Sequence, residues 1–159
     1  MKRPDTPTIV LVDDEEMVVT SIKSFLTLET NYEVRGFTSP SEALEYVKEN
    51  HVDVVISDYL MPDIDGISFL AAVKEIQPQA TRILLTGYAD KENAIKAIND
   101  VGLYQYIEKP WENEDLKLII RNGLEKRILL KRLEDKISEV NRAHDELMTL
   151  QRDILKAFA

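Results

Sequence analysis

Three carboxylates, a hydroxyl and an amine stand at the ends of four short apolar runs. Ile9-Val10-Leu11-Val12 leads into Asp13 and Asp14, Val54-Val55-Ile56-Ser57 into Asp58, Ile83-Leu84-Leu85 into Thr86, and Tyr106-Ile107-Glu108 into Lys109. Carboxylates brought within a few ångströms of one another repel by about 4 kcal/mol per pair at 4 Å and an effective dielectric of 20. A divalent, oxygen-seeking cation offsets that repulsion. Mg2+ suits a site with few protein carboxylates, several waters and a phosphate ligand. Beside such a cation an aspartate oxygen can attack a phosphoryl donor and carry an acyl phosphate. A lysine ammonium then balances charge on the phosphoryl oxygens, and a threonine hydroxyl donates to one of them.

That chemistry requires the four runs to be strands ending at one edge of one sheet. Thr8–Val12 is apolar and β-branched throughout, as a buried parallel strand is. Tyr32–Phe37, Val52–Ser57, Thr81–Thr86 and Leu103–Ile107 read as the second to fifth strands. Between them lie helical patterns. Glu15–Glu29 places Val18, Ile22, Phe25 and Leu26 at helical spacing, and Ser41–Glu49 starts beside Pro40 with Ser39 or Ser41 as cap. The turn-rich Tyr59–Gly66 precedes a helix bearing Ile67, Leu70, Ala71 and Val73, which ends before Pro78. A fourth helix runs to Asn99, with Asp90 as its cap and Gly102 as its stop. Strict alternation predicts an α/β fold with a doubly wound five-stranded parallel sheet, whose carboxyl edge binds ligands. Right-handed crossovers make the first and third strands neighbours and so gather Asp13, Asp14 and Asp58.

Composition narrows the function classes. At 159 residues and 44% apolar, the chain holds one domain of usual size and an extension. No apolar run approaches the roughly 18 residues of a membrane span. The opening Met1-Lys2-Arg3-Pro4-Asp5-Thr6-Pro7 lacks the apolar stretch of a secretory signal. Zero cysteines exclude disulfides and thiolate metal sites and fit a reducing cytoplasm. Net charge is −9, and because residues 112–159 balance ten basic against ten acidic side chains, the whole excess lies in residues 1–111. That argues against direct nucleic-acid contact there and suits a bound cation.

The motifs Val12-Asp13-Asp14-Glu15-Glu16, Ser57-Asp58-Tyr59-Leu60-Met61-Pro62 with Asp65-Gly66, Leu84-Leu85-Thr86-Gly87-Tyr88-Ala89-Asp90, and Lys109-Pro110-Trp111 carry a family resemblance. The sequence resembles the receiver domain of two-component response regulators over residues 6–125. The resemblance implies the flavodoxin-like receiver fold, strand order 2-1-3-4-5, and phosphoryl transfer to Asp58 from a sensor histidine kinase. It further implies that Asp14 and Asp58 bind Mg2+ directly with the Leu60 carbonyl, that Asp13 acts through a bound water, and that a cis peptide precedes Pro110. Thr86 and Tyr106 are similar to the family's switch pair, which reshapes the surface of the fourth helix, fifth strand and fifth helix. Such a chain is no enzyme beyond accepting and losing its own phosphoryl group.

Taken singly, each residue has a plainer role. Asp13 or Asp14 can cap the first helix, Thr86 can be an ordinary strand residue, Lys109 a surface lysine, and Tyr106 a core aromatic. Joint spacing favours the site. Tyr104 and Trp111 suit either partner contact or half-buried packing, and His51 is assigned no chemistry.

From Glu112 onward only Gly123 interrupts a helical pattern, so the last helix is expected to continue as a coiled coil over residues 126–159. Leu130, Ile137, His144, Gln151 and Phe158 fall at a, and Leu133, Val140, Leu147 and Ile154 at d, most simply in a parallel homodimer. A shifted register using Ala143, Leu147, Leu150 and Ile154 competes, reached by a three-residue stammer after Val140; the continuous seam with a fraying end is the simpler expectation. The helix ends at Ala157-Phe158-Ala159 without a stop signal, as a fragment would. It is expected to lead to an output module (a cyclic-dinucleotide phosphodiesterase, cyclase, phosphatase or kinase), or to dock an effector protein as a stand-alone adaptor. A flavin-binding protein of related topology is disfavoured, because an acidic first loop repels the flavin phosphate.

His144-Asp145 is weakly similar to the phosphorylated histidine of a kinase dimerisation helix, yet no kinase-like proline or ATP-binding loop follows. Acid-labile phosphate is therefore expected to be undetectable in Asp58→Asn. A signal that persists there and vanishes with His144→Ala would reverse the assignment.

Overall fold

The computed structural model describes residues 6–157, apart from the side chain of Tyr88. Its strands are β1 (Thr8–Val12), β2 (Glu33–Phe37), β3 (Val54–Asp58), β4 (Thr81–Thr86) and β5 (Gln105–Glu108). They alternate with α1 (Glu16–Glu29), α2 (Pro40–Glu49), α3 (Gly66–Ile76), α4 (Lys91–Asp100) and α5 (Asn113–Ala157), and a 3-10 turn, Tyr88–Asp90, precedes α4. All pairings are parallel, in the order β2-β1-β3-β4-β5. The chain winds outward from β1 to β2 and then crosses back to β3. The switch point of the sheet therefore lies between β1 and β3, where such sheets bind ligands.

Two core layers follow from the two-residue period of the strands. Val10, Val12, Val55 and Leu84 pack against α2, α3 and α4, chiefly on Val47, Phe69, Leu70 and Ala94. Ile9, Leu11, Ile56 and Leu85 point the other way, onto Ile22 and Leu26 of α1 and Leu116 and Ile120 of α5. Covered on both faces, β1, β3 and β4 are buried at every residue. This is why each carries a run of consecutive apolar residues rather than an alternating pattern, with the polar Ser57, Asp58, Thr81, Arg82 and Thr86 confined to the strand ends.

Helix ends show which local signals operate. Ser39 accepts from the Glu42 N–H at 3.4 Å with Pro40 opening α2, and Asp65 accepts from the Ser68 N–H at 2.8 Å at the start of α3. Asp90 occupies the N-cap position of α4 as expected, but its side chain makes no cap bond; its N–H closes the preceding 3-10 turn on the Gly87 carbonyl. β3 starts at Val54 rather than Val52, since the Val52 N–H goes to the Gln77 side chain at 3.0 Å and the Asp53 carboxylate accepts from the Thr8 N–H at 2.8 Å. At the edge away from the carboxyl ends, the buried Arg82 guanidinium donates to the carbonyls of Pro78, Ala80 and Gly102 and so ties the turn that leads into β4 to the one that leads into β5.

The chain divides into two compact units, one ending at Glu125 and the other beginning at Lys126. In the first, α5 is held against β4 where the Thr81 hydroxyl donates to the Gly123 carbonyl at 3.0 Å. The second is helical to Ala157, and its large apolar side chains are exposed. Among the described residues no helix is long and apolar enough to cross a membrane.

Gly102 takes φ +73° just after α4, where any Cβ also approaches the Lys74 ammonium at 3.3 Å. Gly102→Ala is expected to cost about 1–2 kcal/mol for the left-handed backbone, read as a lower urea midpoint at unchanged slope.

Candidate functional site

The register Val12↔Ser57 sets the residues that follow these partners, Asp13 and Asp58, side by side at the carboxyl edge. Asp13 is fully buried, its N–H bonded to the Phe37 carbonyl at 3.1 Å, while Asp14 is exposed. One oxygen from each of Asp13, Asp14 and Asp58 lies within 4.8 Å of the others. Lys109 arrives from the end of β5, anchored by its N–H to the Thr86 carbonyl at 2.8 Å and followed by a cis peptide to Pro110. Its Nζ donates to Asp58 Oδ1 at 2.8 Å and to Asp13 Oδ2 at 3.3 Å.

Among the described residues, one ammonium thus faces three carboxylates. Burial pushes the Asp13 carboxyl above its ordinary range, and the nearby Asp58 charge adds to this. The Glu15 N–H, 2.9 Å from Asp13 Oδ1, and the Lys109 ammonium oppose the shift without reversing it. For Lys109 burial acts downward, but the Asp58 and Asp13 carboxylates outweigh it and hold the ammonium above its usual value. The same ion pair therefore leaves Asp13 raised and Lys109 raised. The reason is that Asp13 loses all its water while Lys109 keeps part of its own.

Two features around Asp58 went unread in the sequence. The Tyr59 N–H is shared between the Leu85 carbonyl at 2.9 Å and Asp58 Oδ1 at 3.0 Å. At Gly66, a Cβ would stand 2.0 Å from the Asp58 carbonyl oxygen, so the first turn of α3 packs directly on the backbone of Asp58. The only signal for that contact was a glycine placed after a capping aspartate. A third unforeseen bond joins the Tyr59 hydroxyl to Asn93 Nδ2 of α4 at 3.3 Å.

The remaining sequence candidates lie around this cluster or apart from it. Thr86 is buried at the end of β4, and its hydroxyl donates to the Gly87 carbonyl at 3.2 Å rather than to a carboxylate. Tyr106, opposite Leu84, is half-buried on the same sheet face as Thr86. Leu60 is exposed on the loop two residues beyond Asp58. Tyr104 and Trp111 pack half-buried against the α1 and α5 layer. His51 lies 3.1 Å from Asp53 in the turn before β3. In the second unit the seam residues Leu130, Leu133, Ile137, Val140, Leu147 and Ile154 are 43–59% exposed, and His144 and Gln151 are also exposed. Phe158 lies outside the described residues.

The family described as "Response regulator receiver domain" matches residues 9–121. Among curated relatives, the hydrogenase transcriptional regulatory protein HoxA of Cupriavidus necator is 35% identical over 74% of this chain and 24% of its own length. The regulatory protein AtoC of Escherichia coli is 30% identical over 89% of this chain and 29% of its own. The chain thus spans only about a quarter of such relatives. Among solved structures, a receiver domain protein from Clostridium thermocellum superposes with TM-score 0.73 at 36% identity, covering 78% of this chain and 98% of that one. A structure titled adenylate cyclase from Rhodopirellula baltica gives TM-score 0.79 at 27% identity, covering 84% and 98%.

Asp13→Asn is expected to stabilise the cation-free protein by about 1 kcal/mol near pH 7, since it removes one of three crowded charges. Because the folded Asp13 carboxyl titrates above its unfolded value, folding takes up a proton there. Wild-type stability should therefore rise as pH falls through the raised value, closing the gap to the variant. Urea unfolding of both proteins across that pH range measures it.

Proposed function

Because the chain belongs to the response regulator receiver family across residues 9–121, we propose that Asp58 accepts a phosphoryl group from a sensor histidine kinase and that the last helix passes the resulting state onward. The observation that carries this reading is the Asp58 carboxylate set among Asp13, Asp14 and the Lys109 ammonium, 2.8 Å away. The three carboxylates fit Mg2+, a hard cation that takes oxygen ligands and keeps several waters. Asp14 and Asp58 with the Leu60 carbonyl would hold it, and Asp13 would reach it through a water. When bound, Mg2+ neutralises charge on the phosphoryl oxygens so that an anionic carboxylate can approach them.

The chain's own residues do the rest. An Asp58 carboxylate oxygen bonds to phosphorus as the bond from phosphorus to the donor nitrogen breaks, and the donor leaves as neutral imidazole after protonation. Lys109 moves its donation from Asp58 to the new phosphoryl oxygens. The Thr86 hydroxyl turns from the Gly87 carbonyl toward the same group. Tyr106 follows on the shared sheet face, changing the surface formed by α4, β5 and α5. Hydrolysis of the acyl phosphate ends the signal, so the receiver performs no chemistry on another molecule.

We assign residues 6–125 to the receiver and 126–159 to a helix that pairs as a parallel homodimer, in the cytoplasm. Names such as "transcriptional regulatory protein" and "adenylate cyclase" among similar proteins support an output module acting beyond this segment. The acidic excess in residues 1–111 supports a receiver without direct nucleic-acid contact. A stand-alone adaptor that docks an effector through the helix is the alternative, favoured by the length of apolar face exposed after Lys126.

Acetyl phosphate or phosphoramidate with Mg2+ is expected to modify wild type at Asp58, as read by peptide mapping, and to leave Asp58→Asn unmodified. Lys109→Met should slow the reaction by about 100-fold, the usual cost of losing one charge-stabilising donor, and a chelator should abolish it. An acyl phosphate mapped elsewhere, or none, sinks the site. Light scattering should give a dimer that becomes a monomer on truncation after Lys126; an untruncated monomer at micromolar concentration removes the dimer.

A further inference from the structure

Every large apolar side chain from Leu129 to Leu155 is exposed, from 43% at Leu130 and Met148 to 72% at Leu155. One series within it, Leu133, Val140, Leu147 and Ile154, recurs every seven residues without a polar member. The residues that complete a seam with this series change sides midway. Before Val140, Leu130 and Ile137 complete it with apolar side chains, whereas the opposite flank would bury the Lys136 ammonium. After Val140, the continuing positions are His144 and Gln151, whereas the opposite flank supplies Ala143, Leu150 and Ala157. Each half of the helix therefore has one register free of polar layers, and the two registers differ.

We propose that this helix pairs in parallel with a second copy of the chain in two successive registers. Leu130, Leu133, Ile137 and Val140 form the first seam; Ala143, Leu147, Leu150 and Ile154 form the second, with His144 and Gln151 moved out to its margin. The inference rests on the dimer reading above and corrects its continuous seam. The change equals a three-residue insertion near Val140 and turns the contact line by about 50° around the helix. In the second seam Leu147 and Ile154 fall at a with Ala143 and Leu150 at d, so the pair Ile154 and Leu150 follows the pattern that favours two strands. Met148 and Leu155 stay outside it.

Charge selects both the occupant and its direction. One margin of the second seam carries Glu139, Glu146 and Asp153, and the other carries His144 and Gln151. Parallel copies set each acidic row against the partner's neutral or basic row, Glu139 facing the partner's His144 and Glu146 facing the partner's Gln151. Antiparallel copies would set acidic row against acidic row, a like-charge arrangement that coiled coils avoid. The histidine thus has a margin role that explains its presence beside an apolar seam.

The chain contains no cysteine, so single cysteines report the register directly. In the full chain oxidised with copper phenanthroline, Ala143→Cys and Leu150→Cys are expected to cross-link at least tenfold faster than His144→Cys and Gln151→Cys. In the first half, Leu130→Cys should outpace Lys136→Cys by a similar factor. His144→Leu with Gln151→Leu, which adds no cysteine, should leave the helix midpoint within a few degrees of wild type. Equal or faster cross-linking at His144 and Gln151, or a large rise in that midpoint, overturns the register change and leaves the dimer standing. A monomer by light scattering overturns the dimer and the inference with it.

Discussion

The repulsion among Asp13, Asp14 and Asp58 is the constraint on which the site depends. A single lysine answers three carboxylates, and one of those carboxylates is fully buried. Left alone, that arrangement costs stability, as the raised Asp13 carboxyl indicates. A fold selected for stability alone would not keep it. Under the proposed function it becomes useful, because the excess negative charge would attract a cation and the lysine would receive a phosphoryl group. Frustration in the free protein would then favour occupancy.

The sheet supplies the geometry that this electrostatics needs. β1 and β3 are adjacent only because the chain reverses its winding between them, and that adjacency places Asp13 beside Asp58. β4 and β5 then bring Thr86 and Lys109 to the same edge at increasing distance from the switch point. Next to this edge the Tyr59 hydroxyl bonds Asn93 of α4, and Thr86 and Tyr106 share one sheet face.

How much of this was legible in the sequence depended on whether the cause was local. β1 and β4 were read to their observed ends, because strands covered on both faces carry consecutive apolar residues, Ile83-Leu84-Leu85 in β4, instead of an alternation. The start of β3 was misread by two residues because the Gln77 side chain, remote in sequence, takes the Val52 N–H. Asp90 was legible as the residue that starts α4, whereas the absence of its side-chain cap bond and the 3-10 turn before it were not. Asp13, Asp14, Asp58 and Lys109 were legible as a group, since their positions at strand ends follow from topology. The pressure of Gly66 on the Asp58 carbonyl was not, because it arises only when α3 docks on β3.

The last helix poses the same contrast between local and assembled causes: its heptad pattern is plain in the sequence, while the partner copy proposed to cover it is not. The central claim concerns the receiver, however, and a crystal structure of the chain grown with Mg2+ and beryllofluoride tests it most directly. The expected result is beryllium bonded to an Asp58 carboxylate oxygen, Lys109 Nζ donating to a fluorine, and the cation held between Asp14 and Asp58. Beryllofluoride bound at another residue, or a bare Asp58 with Lys109 still bridging it to Asp13 at saturating reagent, would contradict it.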